Sequence, residues 1–362
     1  MKNRTVARLR TRRLGRPRVL IVGCGDVGMR AVPLLQGRYR IFALTSDPQR
    51  VMTLRHAGVV PLVANLDQPA SLRRLASLAP RILHLAPPLN SGPRDTRTRA
   101  LLQVLARGTA RHRARERATV SAGLHWPDHH AILPDRDGRA RPVLVYASTS
   151  GVYGDRRGAL VREYVTPQPT TERAVRRIDA EAAVRQFGKR LGWRTTILRI
   201  PGIYAANRLP LERLMRGTPA LCRDDDVYTN HIHADDLARI MVAAMTRGQS
   251  QRIVHASDDS RLLMGEYLDL VAERTGLPPP QRLSREAVRS RVSPVQFSFM
   301  NESRQLDNGR LKNELRVRLQ YPTVAHYFDS LSGSAADPST GRGQTSAVAR
   351  PQASSTLETP QA

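Results

Sequence analysis

The sequence is poor in aromatic residues, in cysteine and in long apolar runs. Aromatic residues make up only 4% of the 362 residues, so Leu, Val, Ile and Ala must build most of the core. The two cysteines, Cys24 and Cys222, do not make a disulfide framework and are typical of a reducing compartment. No apolar run approaches the roughly 18 residues that a membrane-spanning helix needs. We therefore expect a cytoplasmic protein with no membrane partner.

Lysine is also scarce, which shifts the positive charge onto arginine. Lys2, Lys189 and Lys312 are the only lysines among 58 basic residues, and the formal net charge is +27. The basic residues are densest in 1–18 and 94–117. Such a charge is typical of a polyanion-binding surface, or of a GC-rich genome that encodes its surface cations as arginine. No aromatic platform interleaves with the cations, so nucleic acid is not expected as the main partner.

Short apolar runs alternate with amphipathic stretches over the first two hundred residues. The predicted strands are 18–23, 40–45, 59–64, 81–86, 142–148 and 194–200, and the predicted helices are 26–37, 48–57, 69–78, 95–107 and 170–191. Alternation at this spacing indicates a parallel sheet that is covered on both faces. The predicted fold class is therefore α/β, a Rossmann-type doubly wound parallel sheet over 18–200. A smaller C-terminal substrate lobe, 201–330, is expected at the carboxyl edge of the sheet.

Three further segments are set apart by composition. We expect a basic, flexible N-terminus over 1–17, a basic His-rich insertion over 108–141 and a disordered tail over 331–362. Within the insertion, His125, Asp128, His129 and His130 lie close together in sequence. No metal site is expected there, because ligands on an irregular polar segment rarely converge in a fixed geometry.

The heptapeptide VGCGDVG (22–28) follows the first strand and opens the first helix. Gly23, Gly25 and Gly28 have the G-x-G-x-x-G spacing, in which the first glycine makes a tight turn and the second lets the backbone approach a pyrophosphate. The third glycine lets the helix pack closely on the strand. This context predicts a dinucleotide site that also includes the intervening Cys24, Asp26 and Val27, with Cys24 as a small filler. The alternative is a glycine-rich turn in another α/β fold.

The sequence leaves the choice between NAD and NADP open. A carboxylate that binds the ribose is expected at the end of the second strand, about twenty residues after the glycines. Thr45 occupies that place, followed by Ser46 and Asp47. Arg50 could reach the 2′-phosphate of NADP or lie on a solvated helix face.

Several downstream stretches occur in the order and at the intervals of one superfamily. They are VVPLVANLDQPASLRRL (59–75), ILHLAPP (82–88), VYASTSGVYGD (145–155), ILRIPGIY (197–204) and NHIHADDLA (230–238). Together they resemble the extended short-chain dehydrogenase/reductases, the NAD-dependent epimerase/dehydratase group. The G-x-G-x-x-G spacing and the closing MNESRQLDNGRLKNEL (300–315) resemble its atypical branch. The resemblance covers about residues 18–328.

The resemblance implies a role for each matching position. Thr45, Asn65, Leu66, Leu85, Ala86, Pro87 and Pro201 would line the dinucleotide together with the glycine loop. Asn65 stands where the group usually has aspartate beside the adenine, and Pro201 would lie near the nicotinamide. Thr149 takes the place of the Ser/Thr that hydrogen-bonds the reacting oxygen of the substrate.

The group's proton-transfer pair, Tyr-x-x-x-Lys, is replaced in this chain. Counted back from Ala180-Glu181, Arg177 stands at the lysine position and Arg173 at the tyrosine position, both on the predicted helix 170–191. Arginine can bind a ribose, a phosphate or an acid. It cannot act as a general base near neutral pH, because its pKa exceeds about 12.

The two arginines could lie on a solvated helix face and have no role in the reaction. Three other accounts of the replacement also stay open. Another residue could provide the proton, with Tyr153, Tyr164 and Tyr204 as candidates. Alternatively, Arg173 and Arg177 could polarise a carbonyl or hold an acidic substrate. In the third account the protein binds dinucleotide without turnover.

Two further departures concern the substrate. Thr229 stands where nucleotide-sugar enzymes of the group place a diphosphate-binding arginine, so a nucleotide sugar is disfavoured. His233 and Asp236 are expected to make structural bonds that join the lobe to the sheet.

The sequence therefore predicts an NAD(P)-dependent oxidoreductase-like or epimerase-like enzyme for an unidentified small polar substrate, with a homodimer compatible with this prediction. The alternatives are a non-catalytic NAD(P) sensor and, third, a nucleic-acid-associated protein.

Overall fold

The computed structural model describes residues 15–121 and 141–333, except for the side chains of 115–121. The strands are β1 Arg18–Val22, β2 Arg40–Thr45, β3 Val60–Val63, β4 Arg81–His84, β5 Val143–Thr149, β6 Leu160–Val161, β7 Arg194–Ile200, β8 Gly202–Tyr204, β9 Ala220–Leu221, β10 Tyr228–Thr229, β11 His231–His233, β12 Arg252–His255, β13 Leu262–Leu263, β14 Arg282–Leu283 and β15 Gln305–Leu306. The α-helices are α1 Asp26–Leu35, α2 Arg50–His56, α3 Thr96–Ser121, α4 Glu172–Leu191, α5 Leu211–Met215, α6 Ala234–Arg247, α7 Met264–Thr275, α8 Arg285–Arg289, α9 Pro294–Phe299, α10 Gly309–Asn313 and α11 Val324–Gly333. Short 3₁₀ helices cover Pro69–Leu75, Ser150–Tyr153, Ala206–Arg208 and Arg223–Asp225.

Seven parallel strands form the central sheet in the order β12-β7-β5-β4-β1-β2-β3. β1, β4, β5 and β7 are buried along nearly their whole length, because helices cover both faces of the sheet. The strand order reverses beside β1, where connections leave for opposite faces and open a crevice at the carboxyl ends of the strands. The predicted Rossmann-type fold class is confirmed.

All six predicted strands occur, and residues beyond 200 add a seventh. β12 extends the sheet beside β7, and α6 packs against α1 in the same apolar core through residues such as Leu237 and Met241. The chain therefore returns from the lobe to the sheet before it ends. A boundary at residue 200 does not separate the two parts, because β12 is a short apolar run that sequence periodicity does not distinguish from a lobe strand.

The helix predicted over 95–107 continues to Ser121 as α3, so the first part of the expected insertion is helical. The indole Nε1 of Trp193 donates to the Thr109 hydroxyl at 3.0 Å, and Arg113 donates to the Leu191 carbonyl at 2.8 Å. Alanine and arginine have high helix propensity, but they leave no apolar stripe for a periodicity argument to detect. The rest of the insertion, 122–140, and the segments 1–14 and 334–362 lie outside the described residues.

The scarce aromatic residues concentrate in the lobe. Tyr204, Tyr327 and Phe328 are buried there, and Tyr204 contacts the rings of His231 and His233 edge-on, with centroids 6.2 and 5.2 Å apart. β8 and β11 pair in parallel and carry these rings from the carboxyl edge of the sheet into the lobe. In the described part of the chain, no helix is long and apolar enough to cross a membrane.

Candidate functional site

The turn after β1 requires glycine at its first position. Gly23 has φ +86°, and a Cβ placed there would lie 2.5 Å from the backbone nitrogen of Ala86. The close approach arises because the amides of Leu85 and Ala86 both donate to the Val22 carbonyl, at 2.8 and 3.0 Å. The end of β4 is therefore held against the glycine loop.

The second and third glycines differ in what surrounds them. A Cβ on Gly25 would have no neighbour within 4 Å, so the start of α1 faces open space. A Cβ on Gly28 would meet the Cys24 sulfur at 3.3 Å and Ile21 at 3.4 Å, which reflects the close packing of α1 on β1. A helix N-terminus with open space above its first amides is the geometry that a diphosphate needs. The loop residues fit a dinucleotide.

Cys24 is a buried filler of this loop. Its sulfur lies 3.7 Å from the Met29 sulfur, and only 2% of the residue is exposed. Burial raises the pKa of the Cys24 thiol to about 11, although the nearby Arg50 charge acts in the opposite direction. The thiol is therefore protonated at neutral pH.

Asp26 joins the glycine loop to the lobe. Its carboxylate accepts hydrogen bonds from Arg30 at 3.0 Å and from Arg208 at 2.7 Å, and Arg30 also bonds Asp235 at the start of α6 at 2.6 Å. Burial raises the pKa of the Asp26 carboxyl, but the two guanidinium groups outweigh it and hold the pKa below its ordinary value. Sequence reasoning placed Asp26 in the loop but did not identify its partners Arg30 and Arg208, the second of which lies 182 positions away.

The ends of β2 and β3 border the same crevice. Thr45 is buried, and its hydroxyl accepts from the Asp47 amide at 3.1 Å and donates to the Asp47 carbonyl at 3.2 Å. Asn65 accepts from the Asp67 amide at 2.9 Å through its side-chain oxygen, and Leu66 beside it is buried. Thr45 and Asn65 therefore stabilise the turns that shape the adenine side of the predicted site.

An ion pair between Arg97 and Asp67, which the sequence did not predict, lies on the adenine side of the crevice. Arg97 of α3 donates two hydrogen bonds to the Asp67 carboxylate, at 2.8 and 2.6 Å, and a longer one to the Pro87 carbonyl at 3.4 Å. The pair joins the turn after β3 to the loop after β4. Ala86 is buried beneath this loop, whereas Pro87 is exposed.

Arg177 lies against β5. Its guanidinium donates to the Ala147 carbonyl at 2.7 Å and to the Tyr146 hydroxyl at 3.1 Å. Thr149 ends β5, is half-buried and accepts the Gly151 amide at 3.2 Å. In the sheet, Thr149 pairs with Ile200 of β7, the residue directly before Pro201. The structure thus gathers Thr149, Arg177 and Pro201 at the carboxyl ends of β5 and β7.

Arg173, one turn earlier on α4, points elsewhere. It is exposed, and its guanidinium lies over the ring of Phe299 in α9, 4.7 Å from the centroid. Arg173 therefore bridges the helix and the lobe at the mouth of the site. Among the described residues, neither Arg173 nor Arg177 has a carboxylate partner.

Beneath the site, Glu181 forms a buried ion pair with Arg199 of β7. The Arg199 guanidinium donates to both carboxylate oxygens, at 3.1 and 2.7 Å, and both side chains are at most 1% exposed. The Ser148 hydroxyl, next to Thr149, also donates to Glu181 at 2.7 Å. The four-residue spacing between Arg177 and Glu181 indicates that they share one face of α4. It does not identify Arg199 of β7 as the partner of Glu181.

The structure separates the three tyrosines that were candidate proton donors. Tyr153 is fully buried, its hydroxyl shares a 2.5 Å hydrogen bond with Nε2 of His255, and burial raises its pKa to about 12. Tyr204 is enclosed in the aromatic core of the lobe, and Tyr164 is 71% exposed on a loop. Tyr153 and Tyr204 are closed off from any substrate.

Residues of the NHIHADDLA stretch make structural contacts. Nδ1 of His233 accepts the Asp235 amide at 3.2 Å and caps α6. The buried carboxylate of Asp236 accepts the backbone amides of Gln320 and Tyr321, each at 2.8 Å. Thr229 pairs with Leu262 between β10 and β13.

No cluster of three metal-ligating side chains occurs within 15–121 and 141–333. His125, Asp128, His129 and His130 lie outside the described residues.

A buried carboxyl in the lobe predicts how stability depends on pH. Asp258 is 2% exposed and accepts the Ser260 amide at 2.9 Å, and burial raises its pKa to about 8. The folded protein therefore retains a proton that the unfolded chain releases near pH 4, so this stability is lost as the pH rises through about 8. Urea unfolding should show a loss of roughly 1–2 kcal/mol between about pH 6.5 and about pH 8.5. Asp258→Asn should remove that slope.

Below neutral pH, stability is expected to depend on pH in the opposite direction. Burial lowers the pKa of His84, His231 and His255 to about 3, so their contribution is present above the ordinary histidine pKa and is lost as the pH falls through about 6 toward 3. Asp258→Asn should leave this acid limb unchanged. Asp259→Asn, at a more exposed neighbouring carboxylate, is the matched control and should retain most of the wild-type alkaline slope, because burial, and not the Asp259 charge, is the main cause of the raised Asp258 pKa. An unchanged slope in Asp258→Asn would contradict the assignment.

Comparison with known proteins agrees with the fold. A family model described as "NAD dependent epimerase/dehydratase family" matches residues 19–256. A search of curated proteins found no match.

Solved structures share the fold at low sequence identity. A functionally unknown conserved protein from Silicibacter pomeroyi is 23% identical with a TM-score of 0.68, over 89% of this chain and 100% of that one. A dTDP-glucose 4,6-dehydratase from Streptomyces venezuelae, solved with NAD bound, is 18% identical with a TM-score of 0.63, over 87% and 96%. A UDP-glucose 4-epimerase from Thermotoga maritima, solved with UDP-glucose, is 17% identical with a TM-score of 0.61, over 88% and 99%.

Proposed function

The chain belongs to the NAD-dependent epimerase/dehydratase family, and on this premise we propose that it binds NAD or NADP and catalyses an oxidoreductase-like or epimerase-like reaction on a small acidic substrate. The observation that carries the proposal is the glycine loop. Gly23 can only be glycine because of the Ala86 backbone, and Gly25 leaves the N-terminus of α1 open to an anion. The similar proteins from Streptomyces venezuelae and Thermotoga maritima support the chemical class.

The residues that would hold the dinucleotide form one continuous border. The amides of the loop Gly23–Gly28 would take the diphosphate, and Thr45, Asn65 and Leu66 would border the adenosine. Leu85, Ala86 and Pro87 would line the ribose, and Pro201 would lie by the nicotinamide. Arg50, at the start of α2, has no carboxylate partner in the described chain, so its guanidinium would be available to the 2′-phosphate if NADP is the ligand.

NAD(P), when bound, supplies a hydride acceptor or donor at the carboxyl edge of the sheet. Thr149 has one hydroxyl proton to donate to a substrate oxygen, since its oxygen already accepts the Gly151 amide. Arg177 is bonded only to neutral acceptors in the described chain, so its full positive charge remains to polarise a carbonyl or orient the ribose.

An acidic substrate follows from the charge at the mouth of the site. Arg173 and Arg177 lie one helical turn apart, and neither has a carboxylate partner among the described residues, whereas Arg30, Arg97 and Arg199 nearby are all ion-paired. A carboxylate or phosphate on the substrate would neutralise these two charges. Because arginine cannot accept a proton near neutral pH, the proton that accompanies hydride transfer at a carbinol or carbonyl oxygen would pass to another group, such as water, and not to position 173.

Thermal shift with each dinucleotide tests the proposal, since a ligand that binds only the folded state must raise the melting temperature. Wild-type protein should be stabilised by NADP or NAD. Arg177→Met should weaken binding about tenfold, or roughly 1.4 kcal/mol, and Arg177→Lys should retain most of it because an ammonium keeps the charge. The absence of a shift with both dinucleotides would overturn the proposal.

A non-catalytic dinucleotide sensor is the second candidate, favoured by one observation. Tyr153 and Tyr204 are closed off, and the position of the family's tyrosine holds Arg173. Purified protein should be assayed by the absorbance of reduced nicotinamide with a panel of carboxylated and phosphorylated carbonyl compounds. Turnover that Arg173→Met reduces supports the enzyme, and binding without turnover across the panel supports the sensor.

A further inference from the structure

The edge of the sheet opposite the glycine loop is lined by arginine. β1, β2, β4, β7 and β12 all begin with arginine, at Arg18, Arg40, Arg81, Arg194 and Arg252. In a parallel sheet the strands start at one edge, and the helices that return from the other edge end there too. This amino edge of the sheet therefore collects residues that are far apart in sequence.

At the other edge, aspartates follow several strands, while at the amino edge Glu314 pairs with Arg252 at the start of β12. Asp26, Asp47, Asp67 and Asp95 each follow the carboxyl end of a strand. The described connections that pass the amino edge are 36–39, 57–59, 76–80, 192–193 and 248–251, and they contain neither aspartate nor glutamate. The net charge of the protein is thus unevenly distributed along the strand direction.

Part of the amino edge forms a continuous exposed surface on one face of the sheet. The 3₁₀ helix Pro69–Leu75, α3 and α4 pack side by side there around one apolar core. Their exposed cations toward this edge include Lys189 and six arginines, Arg73, Arg74, Arg107, Arg111, Arg113 and Arg190, which we call the basic row. Arg113 donates to the Leu191 carbonyl, which places this part of α3 beside the end of α4.

The basic row is not neutralised within the described chain. None of its six guanidinium groups has a carboxylate partner there, whereas the arginines near the carboxyl edge, such as Arg30, Arg97 and Arg99, are ion-paired. The helix dipole stabilises a cation in the last turn of a helix. The dipole does not explain Arg107 and Arg111, because these two residues lie one turn apart within α3 and not in its last turn.

We infer that the basic row binds the phosphate backbone of double-stranded nucleic acid, independently of the dinucleotide site. Guanidinium groups bind phosphate through two parallel hydrogen bonds, which suits a surface made of arginine. Neighbouring helices lie about 8–10 Å apart, so the row spans roughly 20 Å and reaches phosphates on both sides of a groove about 12 Å wide. Backbone contacts need no stacking, so the missing aromatic platform excludes only single strands.

A lipid surface fits less well. An interfacial helix inserts apolar side chains beside its cations. Among residues 69–75, 96–114 and 188–191, none of the large hydrophobic side chains is exposed.

The test compares two variants of equal charge. The row variant carries Arg73→Gln, Arg74→Gln, Arg107→Gln and Arg190→Gln, and the lobe variant carries Arg261→Gln, Arg289→Gln, Arg291→Gln and Arg318→Gln, at four other exposed arginines without a carboxylate partner in the described chain. Full-length proteins are titrated into a labelled DNA duplex of about 20 base pairs, at several salt concentrations between about 50 and 200 mM. Fluorescence anisotropy gives Kd at each salt concentration.

The row variant should bind at least about tenfold more weakly than the wild type, and its slope of log Kd against log salt should fall by about 2 or more. The lobe variant should lose less than about threefold. Equal weakening in both variants would show attraction to net charge only and would overturn the inference. So would wild-type binding no tighter than about 10⁻⁴ M, or preferential loss of binding to phosphatidylserine vesicles in the row variant.

Both variants should keep the wild-type melting temperature and the wild-type shift with dinucleotide, because all eight side chains lie on the surface away from the glycine loop. This control separates the inference from the proposed function. Loss of duplex binding with an intact dinucleotide shift supports the basic row, whatever reaction the dinucleotide site catalyses.

Discussion

Replacing Gly25 by aspartate is expected to abolish dinucleotide binding while the fold remains intact. The backbone at Gly25 has φ −79°, which any residue adopts, and a Cβ there would have no neighbour within 4 Å. Aspartate is also a favoured residue at the start of a helix. Its carboxylate would occupy the space of the diphosphate and repel it, so Kd should rise at least about 100-fold, equivalent to about 2.7 kcal/mol. Calorimetric titration with NAD and NADP measures this loss.

Two other variants separate charge from shape. Gly25→Asn has nearly the same size without the charge and should lose less affinity than Gly25→Asp. Gly23→Ala should instead destabilise the protein by several kcal/mol, because φ is +86° and the new methyl group would lie 2.5 Å from the Ala86 nitrogen. Unaltered affinity in a folded Gly25→Asp protein would mean that the diphosphate does not bind at this loop.

Replacing Glu181 by glutamine is expected to destabilise the protein by roughly 3–5 kcal/mol. The change leaves the Arg199 guanidinium, which is 1% exposed, without its counter-charge in the interior of the protein. It also weakens the hydrogen bond from Ser148, whose neighbour Thr149 would contact the substrate. Urea unfolding at neutral pH measures the difference in unfolding free energy.

Burial is the reason for the size of this effect, and an exposed pair shows the contrast. Glu212 and Arg216 form an i,i+4 ion pair on α5 with 74% and 70% of their side chains exposed. Glu212→Gln should therefore change stability by less than about 0.5 kcal/mol. The double variant Glu181→Leu/Arg199→Met should recover part of the loss, because it leaves no unpaired charge. A cost for Glu181→Gln as small as that for Glu212→Gln would refute the buried-pair explanation.

Sequence reasoning located the glycine loop, the strands and the α4 arginines because each depends on local spacing. Gly23, Gly25 and Gly28 are five positions apart at most, and Arg173 and Arg177 share a helix face because they are four residues apart. The same reasoning ended α3 at residue 107 instead of 121, because a helix of alanine and arginine has no apolar period. It also placed β12 in the lobe, although β12 pairs with β7.

The side-chain partners could not be predicted in this way. Asp26 bonds Arg208, Asp67 bonds Arg97 and Tyr153 bonds His255, and each pair joins elements whose separation in sequence carries no information on distance in space. The same limit applies to the tyrosines. Burial of Tyr153 and Tyr204 depends on the packing of the lobe, so their exclusion as proton donors had no signal in the sequence.

The family, the sheet and the replaced tyrosine and lysine positions follow from the order of the residues, because strand and helix periods and motif intervals are properties of neighbours along the chain. The orientation of Arg173 toward Phe299, the counter-charge of Arg199 and the grouping of arginines in the basic row arose only on folding. The physical reason is that parallel strands bring distant segments together at each edge. Some arginines thereby meet a carboxylate, as Arg97 meets Asp67, whereas those of the basic row meet none within the described residues.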